Sequence, residues 1–139
     1  MDRATLDVAM ALGLPCGGWC PKGRRAEDGV IPSCYPLQET SSAQNPQRTQ
    51  WNVRDSDGTL ILIQGQPKKN GTALTIETAK RLKKPCLVVD LAAQPDLSIV
   101  QTWVERQTIQ TLNVAGPRES TCPGIYAEAR RFLTAFLTR

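Results

Sequence analysis

Three glycine-bearing segments hold the residues of this chain whose types and spacing could do chemistry. In Gly17-Gly18-Trp19-Cys20-Pro21-Lys22-Gly23-Arg24-Arg25, two adjacent glycines, an aromatic plane and three cations share one short stretch. Bare amides and cations suit an anion, and an indole suits a flat ring. The competing reading is a solvated basic loop with Trp19 in the core. In Asn70-Gly71-Thr72, Gly71 lets a phosphate approach the backbone and Thr72 offers a hydroxyl, whereas the plainer role is a helix N-cap. The third segment, Asn113-Val114-Ala115-Gly116-Pro117-Arg118-Glu119-Ser120, repeats the theme. There Gly116 permits close approach, Arg118 is a forked donor for phosphate, and Ser120 adds a hydroxyl. Arg118 could equally pair with Glu119 or another surface carboxylate.

These are groups for holding an anion, and composition removes much of ordinary bond-breaking chemistry. The 139 residues include no histidine, so a Ser-His-Asp triad, a Cys-His pair, an HExxH zinc site and a histidine general base cannot be built. Seventeen Lys+Arg against 13 Asp+Glu give a formal charge of +4. That balance suits a small anionic ligand and does not call for nucleic acid. The five cysteines, Cys16, Cys20, Cys34, Cys86 and Cys122, are odd in number and read as free thiols in a reducing compartment. Cys16, Cys20 and Cys34 lack a fourth nearby ligand, so no zinc site is expected. No apolar run approaches the roughly 18 residues of a membrane span, and no basic-then-apolar leader opens the chain. It reads as soluble and cytoplasmic, with no membrane partner.

The elements that must position these segments follow from hydrophobic periodicity. Leu6, Val8, Ala9, Met10 and Leu12 mark a helix over 2–13 that Gly13 and Pro15 end. A long stretch rich in Gly, Pro and charge, from Pro21 to about Asn45, reads as an irregular functional loop. A short helix over 47–53 precedes turn residues and the β-branched run 59–63, a strand covered on both faces. Helical patterns over 71–84, 96–107 and beyond Pro123 alternate with strands over 86–90 and 111–115. Alternation of this kind makes an α/β domain, a mainly parallel sheet with helices on both faces, and ligands of such sheets bind at the carboxyl ends of the strands.

A set of strings spanning essentially the whole chain carries a resemblance. They are Cys16 through Arg24, Ala26-Glu27-Asp28-Gly29, Ile31-Pro32, Tyr35-Pro36-Leu37 and Glu39-Thr40, followed by Arg48-Thr49, Trp51-Asn52-Val53 and Asp55-Ser56-Asp57-Gly58-Thr59. Gly71-Thr72, Leu74-Thr75, Asn113 through Ser120 and Pro123-Gly124-Ile125-Tyr126 complete them. Together they resemble the molybdenum carrier family, related to YpsA and Lonely Guy proteins. The resemblance implies a Rossmann-like, doubly wound fold that binds the molybdenum cofactor (molybdopterin), a phosphorylated pterin, as a homo-oligomer, with molybdoenzymes as recipients. The residues expected to hold it are Gly17, Gly18, Trp19, Lys22, Gly23, Arg24, Gly71, Thr72, Asn113, Gly116, Pro117, Arg118, Glu119 and Ser120, with no catalytic residue and no protein ligand to a metal.

Two departures from the family pattern set further expectations. Family members begin with a strand and a glycine loop ending in Val-Asp-Arg. Here Met1 stands at that Val, so the first strand is expected upstream, with a GTG codon taken as the start. Lonely Guy hydrolases carry a glutamate three residues past the threonine of their glycine loop, where this chain has Thr75, with Glu77 two positions further on. A carrier is therefore the first expectation. The alternatives are a nucleotide-processing phosphoribohydrolase using Glu77 or Asp55, and a nucleotide-sensing module.

Overall fold

The computed structural model describes residues 2–26, 29–31, 35–42, 45–65, 71–117, 119 and 122–138. Its elements run α1 (Asp2–Ala11), β1 (Gly18–Cys20), β2 (Arg25–Ala26), β3 (Gly29–Val30), β4 (Leu37–Glu39), α2 (Asn45–Arg54), β5 (Gly58–Ile63), α3 (Gly71–Arg81), β6 (Cys86–Asp90), α4 (Leu97–Arg106), β7 (Leu112–Ala115) and α5 (Ile125–Leu137). A 3-10 turn over Leu91–Ala93 links β6 to α4.

Six consecutive buried residues make β5 the centre of a parallel three-stranded sheet in the order β6-β5-β7. The register runs from Thr59 opposite Cys86 to Ile63 opposite Asp90 on one side, and from Gly58 opposite Leu112 to Ile61 opposite Ala115 on the other. Side chains alternate across a strand, so the two faces of β5 meet different partners. Leu60 and Leu62 join Val89, Val114, Ala4, Val8, Val100 and the α5 residues Ile125, Ala129, Phe132, Leu133 and Phe136 in one apolar core. The other face, Thr59, Ile61 and Ile63, meets α3, which in turn packs against α2. Helices thus cover both faces, and the fold is the doubly wound, Rossmann-like α/β arrangement expected from the periodicity.

The stretch 21–45 is not one irregular loop. It contains the antiparallel β2–β3 pair and β4, and β4 pairs in parallel with β1 to form a second, two-stranded sheet. Neither three-residue strand shows an alternation long enough to be read, because its pairing depends on docking against α2.

Helix ends follow a common geometry. Leu14 N–H donates to Ala9 O at 2.8 Å around Gly13 at φ 70°, the six-to-one closure that satisfies a helix's last carbonyls. The same closure ends α4, where Ile109 N–H donates to Val104 O at 3.1 Å, but there the left-handed position is Thr108 at φ 54°. A β-branched residue is strained in that region and glycine is not. Thr108→Gly is therefore expected to raise stability by about 1 kcal/mol in a urea unfolding curve, the net of relieved strain and added unfolded-state freedom.

Candidate functional site

The two ends of the three-stranded sheet are built for different purposes. At the amino end, ties are dense. Asp57 Oδ2 accepts from Gln110 N–H at 3.0 Å and Thr111 N–H at 2.9 Å, joining the start of β5 to that of β7. These amides, Thr111 first, hold the Asp57 carboxyl below its ordinary range. Lys84 Nζ donates to Ser56 O at 2.6 Å and to Arg54 O. Asn113 Nδ2 reaches Thr59 Oγ1 at 3.2 Å, a cross-strand tie in the first half of the sheet. One amide hydrogen of Asn113, an expected ligand residue, is thus engaged in an internal bond.

Trp19 belongs to the same end. Its indole N–H donates to Asp55 Oδ2 at 2.7 Å, and its ring meets Trp51 edge-on with centroids 4.7 Å apart. Asp55 lies just ahead of β5, so the indole is anchored at the sheet's amino end, away from the ligand rim for which it was expected. The neighbouring Arg54 guanidinium bonds Asp55 and is the largest cause holding that carboxyl below its usual range.

The rest of the first segment is likewise spent on its own packing. Asn52 brackets the Trp19 backbone, accepting from its N–H at 2.9 Å and donating to its carbonyl at 3.3 Å. Gly18 sits at φ 144°, and a Cβ there would meet Asn52 Oδ1 at 3.2 Å. Gly17 lies beneath Pro36 O, which a Cβ would approach at 3.4 Å. Arg24 donates through Nε to Ile31 O at 3.1 Å, through Nη1 to Leu37 O at 3.1 Å and through Nη2 to Tyr35 O at 3.0 Å, stapling the 31–37 segment. Gly23 N–H donates to Glu39 Oε1 at 2.6 Å, and exposed Lys22 donates its N–H to Ser42 O at 2.9 Å. Arg24 and these glycines are thus drawn into the packing of a subsidiary sheet.

At the carboxyl end the arrangement opens. Strand β5 leads to α3 on one face, and its parallel neighbour β7 leads to α5 on the other. Where adjacent strands send their helices to opposite faces, the loops diverge and leave a crevice, the usual ligand position in open α/β sheets. Gly65 follows β5 at φ 80°, with nothing among the described residues within 4 Å of where its Cβ would be. Its N–H donates to Asp90 Oδ1 at 3.0 Å, which also accepts from Ala92 N–H at 3.0 Å. Helix α3 runs back from this rim to the start of β6, which puts Gly71 and the 7%-exposed Thr72 at the crevice. Gly116 and Pro117, both half-buried, enter it from β7. Of the expected ligand residues, Gly71, Thr72, Gly116 and Pro117 are therefore brought to one rim. Arg118 and Ser120 lie outside the described residues, as do Asn70 and Cys34.

Glu119 has a definite task. Its two carboxylate oxygens accept from Gly124 N–H at 2.8 Å and Tyr126 N–H at 3.0 Å, capping α5. The Tyr126 amide first, then that of Gly124, pulls the Glu119 carboxyl below its ordinary range. A charge already sits where α5 would attract a ligand's phosphate, whereas the first turn of α3 carries no acidic residue. A carboxyl depressed in the folded state stabilises above its unfolded pKa, and that contribution is lost as pH falls through the folded value. Glu119→Gln should therefore flatten the acid limb of the melting temperature against pH, measured by circular dichroism, lowering it most near neutrality and converging on the wild type in acid.

Two features were not foreseen from sequence. Asp7 of α1 accepts from Tyr35 Oη at 2.7 Å and from Tyr126 Oη, joining three chain segments, and raises the Tyr126 hydroxyl's pKa. Gln64, the first polar residue after an apolar strand, sits at the carboxyl end of β5. Thr75 is 3% exposed while Glu77 faces solvent, so the carboxylate that the hydrolase alternative needs points away from α3's buried side. Among the described residues, Cys16, Cys86 and Cys122 are free thiols, Cys20 is buried, and no three of His, Cys, Asp and Glu cluster to hold a metal ion. Among the same residues, no helix is long and apolar enough to cross a membrane.

A solved structure from Syntrophus aciditrophicus SB, named "Putative molybdenum carrier protein", is 44% identical to this chain and superposes with a TM-score of 0.92. The match covers 98% of this chain and 87% of that one. No curated protein matches. The family model described as "Circularly permutated YpsA SLOG family" matches residues 1–137, and the chain belongs to that family.

Proposed function

We propose that this protein is a molybdenum cofactor carrier that holds a phosphorylated pterin at the carboxyl rim, in the crevice between β5 and β7. The observation that carries the reading is the divergence of α3 and α5 to opposite faces of the sheet beside the open turn at Gly65. The similarity to a protein named as a molybdenum carrier supports the choice of ligand. The rim fits such a group in its chemistry. Gly65 has open space above its Cα among the described residues, and the first turn of α3 carries no acidic residue to compete with a phosphate. The chain's part is to bind and orient this cargo and shield it from water. A homo-oligomer handing the cargo to molybdoenzymes belongs to the same proposal.

The test is to purify the protein from a molybdenum-replete host and assay it for bound molybdenum and for oxidised pterin fluorescence. Co-purification of both is expected. Their absence, together with no binding of a pterin monophosphate by titration calorimetry, would remove the reading.

A further inference from the structure

Gln64 follows the last residue of β5, and its side-chain oxygen is fully buried with no hydrogen-bond partner among the described residues. Its own main-chain carbonyl is approached by Cys122 Sγ at 3.9 Å, and the next residue is the open Gly65 turn. Buried amide oxygens in folded proteins nearly always have a partner, because an unpaired one forfeits its hydration without return. An orphaned acceptor at the carboxyl end of β5, the rim proposed above to hold the ligand, has a natural partner in that ligand.

The chemistry of that partner is constrained. The dianion of a phosphate monoester offers only oxygens that accept, so it does not satisfy another acceptor. The neighbouring α5 terminus already carries the Glu119 carboxylate, which repels a second anion there. From these facts, and resting on the binding role proposed above, we infer that Gln64 is a specificity-determining residue that accepts a hydrogen bond from a ring N–H of the ligand. The ligand then lies across the end of β5 with its phosphate toward α3 and Thr72 and its nitrogen-bearing ring edge toward Gln64. Any heterocycle presenting an amide or amino N–H edge fits this description, a pterin among them.

The experiment titrates a pterin monophosphate and, separately, inorganic phosphate into the wild type, Gln64→Met and Gln64→Leu, with melting of each ligand-free protein recorded alongside. Removing one ring contact is expected to weaken the pterin monophosphate by about tenfold in both variants. Inorganic phosphate should bind as before, and the ligand-free melting temperature should not fall, because the lost oxygen had no internal partner. Unchanged pterin binding, equal weakening of both probes, or a lowered melting temperature with intact binding would each overturn the assignment while leaving the carrier reading in place. A wild type that binds phosphate but not the pterin monophosphate overturns the assignment and the ring half of that reading. Binding of neither probe overturns both.

Discussion

Gly18→Val should cost this protein about 3 kcal/mol of stability, read from a urea unfolding curve. Gly18 combines a backbone conformation reserved for glycine, φ 144°, with a Cβ position 3.2 Å from Asn52 Oδ1 and 3.6 Å from Leu37 Cδ2. Strain of this kind is worth about 1–3 kcal/mol, and crowding a packed contact adds about 1–3 kcal/mol. The Asn52 amide cannot simply move aside, since both its ends are bonded to the Trp19 backbone. The same substitution separates two roles for the glycine pair. A phosphate-cradling glycine would lose ligand affinity with little loss of stability, while a packing glycine loses stability first. The geometry predicts the second result, with the residual folded protein still binding a phosphorylated ligand at the opposite end of the sheet.

Arg118→Ala should weaken a phosphorylated ligand by about 1.5–3 kcal/mol, the range for a hydrogen bond to a charged group, which is roughly a 10- to 150-fold rise in Kd. Arg118 follows Gly116 and Pro117 in sequence, after the carboxyl end of β7, and a guanidinium is a forked cation able to grip a phosphate in two places. Titration calorimetry with a pterin monophosphate measures the effect, and an unfolding curve of the same variant should overlay that of the wild type. Unchanged affinity would take Arg118 out of the site and leave the phosphate to α3 alone. The contrast with Gly18→Val is the useful one, because one change acts on folding and the other on binding.

Much of the sheet was legible in the order of residues. The apolar, β-branched-rich run Thr59–Ile63 has to be a covered strand, since these five residues have no polar face to offer water. The stripe Ile125, Ala129, Phe132, Leu133 and Phe136 has to be one buried side of a helix, and it is. Asp96 and Ser98 announce the start of α4, where Asp96 Oδ1 accepts from Ser98 N–H at 2.9 Å. Hydrophobic periodicity is a local property, so a parallel sheet wrapped on both faces, and the rim at its carboxyl ends, could be reached without coordinates.

What residue order could not decide is which polar groups are already spoken for. Arg24, Glu119 and Trp19 carry the right chemistry for a phosphorylated ring. Whether an arginine meets a phosphate or three carbonyls of its own loop, however, depends on contacts 7 to 13 positions away, beyond the reach of strand or helix periodicity. Docking against α2 turned Gly18–Cys20 and Leu37–Glu39 into a paired sheet and drew the Trp19 indole to Asp55, thirty-six positions away. Conversely, Gln64 looks like an ordinary loop residue until the fold closes around its side-chain oxygen and leaves it without a partner among the described residues. Local pattern thus determined where strands and helices lie, because burying an apolar face is settled within a few turns of chain. Only the packed structure distributed the hydrogen bonds, because a donor or acceptor is free for a ligand only when no distant segment has reached it first.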